Sequence, residues 1–171
     1  MLRTDHLLLG PEPLDLGLLE RSLADPACGG LAFFSGRVRD EHRGRRVLRL
    51  DYEAHPLLAK AELRSVANEA RQRWDLGPLL LAHRVGRLDI GDTAVIVGAA
   101  GGHRDECFAA CRFFIEAIKD RVPVWKHEFY ADGTDDWVGA PDWGSAAQHT
   151  EHLSIPLGPQ GQEQPCHQRW N

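Results

Sequence analysis

Two lysines, Lys119 and Lys126, stand on either side of a proline and a tryptophan in the stretch KDRVPVWKHEF, residues 119–129. A solvated surface lysine needs no such setting. A lysine that meets an anion or trades a proton does. Lys119 falls in the last turn of a predicted helix, where the helix dipole favours a cation whatever its function. Lys126 follows Pro123 on a predicted strand, where neighbouring side chains point to opposite faces. Trp125 is thereby free to join a core while Lys126 faces out or into a cleft. Partial burial disfavours the charged form of a lysine and suits it to proton transfer or nucleophilic attack.

Two further groups of basic residues carry the same suggestion. His103 and Arg104 follow GAAGG at the predicted start of a helix. Gly101 and Gly102 let the backbone approach a ligand closely. The helix N-terminus adds unpaired N–H groups and a partial positive charge, so an imidazole and a guanidinium there make a phosphate site. Arg39 lies in RVRDEHRGRRVLR, residues 37–49, where six arginines face only Asp40 and Glu41 on a chain of net charge −5. Such a local patch on an acidic chain fits a small anionic ligand or an acidic partner and argues against nucleic acid.

His103 and Lys119 are separated by about 24 Å along a straight helix at 1.5 Å per residue. A small substrate does not touch both ends of one helix. A site using both therefore predicts a homodimer, with the active site shared across its interface.

The elements that position these residues can be read from periodicity. The 171 residues, 43% hydrophobic and 26% charged, suffice for one domain with a core. Residues 5–9 form a short strand, and 13–24 a helix with Leu14, Leu18, Leu19 and Leu23 on one side. CGGLAFFSGRVRD and RRVLRLDYEAH are predicted as the two arms of a long hairpin. In the second arm Val47, Arg49 and Asp51 alternate with Leu48, Leu50 and Tyr52. Pro56 opens a helix to about Trp74, with Leu58, Ala61, Leu63, Val66 and Ala70 inward. LLLAHRVGRL and TAVIVGAA are strands, the second a central one. A helix over 103–121 buries Cys107, Cys111, Phe114 and Ile118 until Pro123 stops it. VWKHEFY and DWV complete the set, and the mixed order gives an α+β class.

Residues 1–140 read as a single catalytic domain, and 141–171 as a polar, flexible C-terminal tail. His149 and His152 lie in that tail with no third ligand nearby, so no metal site is predicted. Cys28, Cys107, Cys111 and Cys166 show no CxxC spacing, which suits a reducing, cytoplasmic setting. No apolar run is long enough to span a membrane, and the N-terminus lacks the pattern of a signal peptide. Nucleotide-binding, zinc-protease and serine-hydrolase signatures are missing.

The segments FFSGRVRDEHRGRRVLRLDYEAHP, AHRVGRLDIGD, GHRDECFAACRFFIEAIKDRVPVWKHE and WV together resemble the catalytic (large) subunit of molybdopterin synthase, over about residues 5–140. That resemblance implies an α/β hammerhead-type fold, with a mixed or antiparallel sheet and two long helices. It implies a homodimer that carries a small ubiquitin-like thiocarboxylated sulfur-carrier subunit at each end, a heterotetramer. The implied reaction is transfer of two sulfurs to cyclic pyranopterin monophosphate, giving the molybdopterin dithiolene without a cofactor or metal. Lys119 and Lys126 match the catalytic lysines, and Arg39 a pocket arginine. His103 and Arg104 match residues holding the substrate phosphate from the neighbouring chain, and Phe34 the place where the partner's Gly-Gly tail threads. One departure is WVGAPDW, which lacks the basic residue that often follows WV. The rival expectations are a non-catalytic phosphate-binding relative and a sulfurtransferase built on Cys28.

Overall fold

The structure, a computed structural model, describes residues 5–138. In chain order it contains β1 (Asp5–Gly10), α1 (Leu16–Ser22), β2 (Gly30–Arg37), β3 (Glu41–His42), β4 (Arg45–Ala54), α2 (Pro56–Arg73), β5 (Leu76–Arg84), β6 (Gly86–Asp89), β7 (Thr93–Gly101), α3 (Arg104–Arg121), β8 (Val124–Tyr130) and β9 (Asp135–Val138). The tail predicted over 141–171, with His149, His152 and Cys166, lies outside the described residues, as does the position after Val138.

β7 carries no charge and is buried along nearly its whole length. A strand apolar on both faces belongs in the middle of a covered sheet. It lies between β5 and β2, antiparallel to both, and β5 pairs in parallel with β1. On one face of this mixed sheet, α2 contributes Leu63, Val66 and Ala70 and α3 contributes Cys107, Cys111 and Phe114. They meet Leu79, Leu81, Val97 and Ala99 of the sheet. On the other face Leu23 closes over Leu80, Ala82 and Ile96, with Leu14, Leu19 and Phe33 around them.

The second sheet is antiparallel. β4 pairs with β8 on one side and with β3 and β6 on the other, and β9 lies outside β8. A small cluster of Val38, Val47, Leu50, Leu88, Ala94 and Tyr130 joins the two sheets. The α+β architecture with two long helices, of 18 residues each, is the predicted one.

Four local expectations are corrected. β2 and β4 are not the arms of one hairpin: β2 pairs with β7, and only the two-residue β3 turns back on β4. The apolar side chains of β2 need the sheet under α3, and a strand following its own turn would not reach it. The alternation in β4 breaks at a bulge between Val47 and Arg49, so Val47 and Leu50 are both buried while Leu48 is exposed. LLLAHRVGRL is split, its last residues forming β6 in the other sheet. In α2 the inward stripe is Ala59, Leu63, Val66, Ala67 and Ala70, while Leu58 and Ala61 are exposed.

Candidate active site

The chain reversal at Val122-Pro123 brings the two lysines together. Pro123 has no N–H to continue the ladder of α3, and its ring disfavours helical geometry in Val122. The helix therefore ends at Arg121, and a tight turn, with Val124 N–H donating to Val122 O at 2.7 Å, sends the chain into β8. Lys119 in the last helical turn and Lys126 in β8 now line one cavity of about 590 Å³. The strand alternation directs Lys126 and Glu128 to this side. His127 and Phe129 face the other way, where His127 stacks on Trp137 at 4.3 Å. Trp125 is half-buried and belongs to none of the apolar clusters, so it anchors less than the sequence suggests.

Phe34, Arg37 and Arg39, from β2 and the turn after it, form another wall, and Leu50 and Tyr52 of β4 the floor. Gly36 sits in that wall because a Cβ there would lie 2.7 Å from Val95 Cγ1. Phe34 is 41% exposed, an apolar ring at the cavity's edge. Four cations, Arg37, Arg39, Lys119 and Lys126, face two carboxylates, Glu41 and Glu128. Among the described residues only Lys126 of these cations is held in an ion pair. The unpaired excess of positive charge draws a small anion.

His103 and Arg104 are elsewhere. His103 is the N-cap of α3 and makes no side-chain cap bond, and Arg104 is 84% exposed. Neither lines the cavity. Asp105 and Glu106 occupy the same first turn and offset part of the positive field expected there. At 18 residues α3 spans about 27 Å, which keeps its two ends in separate places within one chain. Cys28 does not line the cavity either. Cys107 and Cys111 are buried as expected, and burial pushes the Cys111 thiol up to about 12, so neither presents a thiolate.

Periodicity pointed to Lys126 but not to its partners. Glu128 is 2% exposed and holds three donors: Lys126 Nζ at 2.5 Å from Oε1, with Tyr130 OH at 2.5 Å and His42 Nδ1 at 2.7 Å on Oε2. Burial pushes its carboxyl up, but the bonds from Lys126, Tyr130 and His42 outweigh it and hold Glu128 below the usual carboxylate range. Tyr52 and Tyr130 are each pushed up to about 12, first by burial and then by the Glu128 charge. The available signal was a Glu two residues after Lys126, at the same parity of the strand.

A family model described as MoaE protein matches residues 9–121. A relative named molybdopterin synthase catalytic subunit 1, from Mycobacterium tuberculosis, is 40% identical over 131 residues, covering 77% of this chain and 88% of that protein. The molybdopterin synthase catalytic subunit of Drosophila melanogaster is 36% identical over 133 residues, 77% of this chain, but the chain spans only 36% of that relative's length. Among solved structures, a molybdopterin synthase from Staphylococcus aureus superposes with a TM-score of 0.74 at 29% identity, covering 78% of this chain and 97% of that one. A MoaE protein from Burkholderia ambifaria gives 0.68 at 33% identity, covering 85% and 95%.

Proposed function

This chain belongs to the MoaE protein family, and on that premise we propose that it is the catalytic subunit of a molybdopterin synthase. It transfers sulfur from a thiocarboxylated, ubiquitin-like small subunit to cyclic pyranopterin monophosphate, forming the dithiolene of molybdopterin. One observation carries the assignment of residues. Phe34 and Arg39 from one segment of the chain, and Lys119 and Lys126 from another far away in sequence, converge on one cationic cavity.

Each group has a task that its setting allows. Phe34 offers an apolar edge against which a glycine tail, with no Cβ to clash, can thread. Arg39 neutralises the anionic substrate and the thiocarboxylate. Lys119, with no ion pair among the described residues, is the essential group. It acts on the covalent intermediate between carrier and substrate as acid, base or charge stabiliser. Lys126, fixed by Glu128, adds a second positive charge at a set place. His103 and Arg104 hold the substrate phosphate of a second copy's site, which makes the working unit a homodimer with a small subunit on each end. Among the described residues no helix is long and apolar enough to cross a membrane. A cytoplasmic setting is part of the same proposal and rests on the cysteine usage of the chain.

The test is single-turnover conversion of cyclic pyranopterin monophosphate by the protein mixed with a thiocarboxylated small subunit. Wild type makes the dithiolene and Lys119→Ala does not. Cys28→Ala stays active, since Cys28 is outside the cavity. Wild type that binds the substrate without converting it would make the chain a binding relative instead.

A further inference from the structure

We infer that His42 is a positioning residue that sets Lys126 in the cavity by way of Glu128. β3 is only Glu41–His42, turned back onto β4 through Arg43 and Gly44, both at positive φ (53° and 76°). That turn delivers the imidazole to a carboxylate 86 positions away in sequence. Glu128 stays ionised among its donors and has no proton to give, so His42 Nδ1 carries the hydrogen and donates it. With Tyr130 and His42 on Oε2, the carboxylate plane is fixed, and Oε1 holds Lys126 Nζ in one place at the cavity wall.

The same small hairpin is anchored independently. Arg45, opposite His42, lies over the Tyr130 ring at 3.5 Å and pairs with Asp136. Loss of the imidazole therefore leaves one acceptor site on Glu128 without its donor while the hairpin stays attached through Arg45. This separates positioning of Lys126 from support of the fold. The inference rests on the proposed sulfur-transfer role of Lys126 for its catalytic consequence, though not for its geometry.

The test compares His42→Leu and His42→Asn with wild type, both variants first checked for native circular dichroism. Two readouts are taken: single-turnover and steady-state conversion with the small subunit, and trace acetylation of Lys126 by mass spectrometry, referenced to the exposed Lys60. His42→Leu lowers kcat about tenfold, as expected for one lost bond to a charged group, with KM changed less than about twofold. It also raises Lys126 acetylation about threefold, because an amino group less firmly held against Glu128 is more open to attack on the acylating reagent. His42→Asn, whose amide offers a donor near the position of Nδ1, returns both readouts toward wild type. Wild-type kcat and labelling in the leucine variant, or an asparagine variant as impaired as leucine, overturns the inference. If wild type makes no dithiolene, the functional proposal fails on its own, and the acetylation comparison still decides the role of His42.

Discussion

Removing Lys126 leaves the buried Glu128 carboxylate with two donors in place of three, whereas removing Lys119 strands no partner among the described residues. The two lysines therefore differ in stability effect although both line one cavity. Lys126→Ala should cost about 2 kcal/mol, the scale of one lost bond to a buried charge. Lys119→Ala should stay within about 0.5 kcal/mol of wild type, as exposed substitutions do. Urea unfolding of both variants measures this, and equal losses would mean that Glu128 does not depend on Lys126. A Lys119 variant that is fully folded yet inactive places its role in chemistry. The same contrast explains why Glu128 tolerates burial at all: three donors offset the desolvation of its charge.

At the scale of elements, the site is built from places where regular structure stops. α3 ends at a proline, β2 shifts register between Gly36 and Arg37, and β4 bulges between Val47 and Arg49. Each irregularity re-aims side chains that an unbroken element would send elsewhere. Gly36 shows how little room remains. A methyl there meets Val95 Cγ1 at 2.7 Å, and Val95 is buried on the central β7, where close packing leaves its side chain little room to shift. Gly36→Ala should destabilise by about 1–3 kcal/mol through overpacking and should also distort the wall carrying Arg37 and Arg39. Thermal melts together with substrate binding check this. An unchanged melting temperature would show that Val95 adopts another rotamer without cost.

For the whole molecule, the length of α3 is the decisive fact. Its ends carry His103 and Lys119, and one small substrate does not reach both. If the homodimer shares its sites, inactive His103→Ala and Lys119→Ala proteins should complement each other on mixing. Random exchange puts one intact site in half the dimers, giving about a quarter of wild-type activity. No recovery after verified exchange would confine each site to one chain. A second prediction concerns alkaline pH. Cys111, Tyr52 and Tyr130 are each pushed up to about 12 from ordinary values of 9.0, 10.0 and 10.0. A raised folded value means the neutral form is favoured in the fold. That stability is fully present below the unfolded values and is lost as pH climbs toward about 12. Glu128 works in the opposite sense: its lowered value gives stability present above 4.5 and lost as pH falls through the folded value. The urea midpoint should therefore be level near neutrality and fall on both sides, and Tyr130→Phe should shallow the alkaline limb.

Much of this was legible in the order of residues because helix periodicity, strand alternation, Pro123 and the charge-free β7 are local signals. They marked both long helices, the central strand, and a lysine on each side of a forced break. The family resemblance supplied the expected roles of Phe34, Arg39, His103 and Arg104. Strand partnership was not legible. β2 chose β7 over β4 because the apolar faces of the whole sheet had to be covered together, a choice no hairpin-like stretch declares. The one-residue bulge in β4 reversed a pattern that alternation alone would continue. Glu128 and His42 met only because β3 and β8 both joined β4 in the second sheet, and the energy of a buried charge depends on every donor that arrives. Local chemistry along the chain thus determined which elements form and which residues can react. Long-range packing, by deciding which groups lose water together, selected the cavity in which they do so.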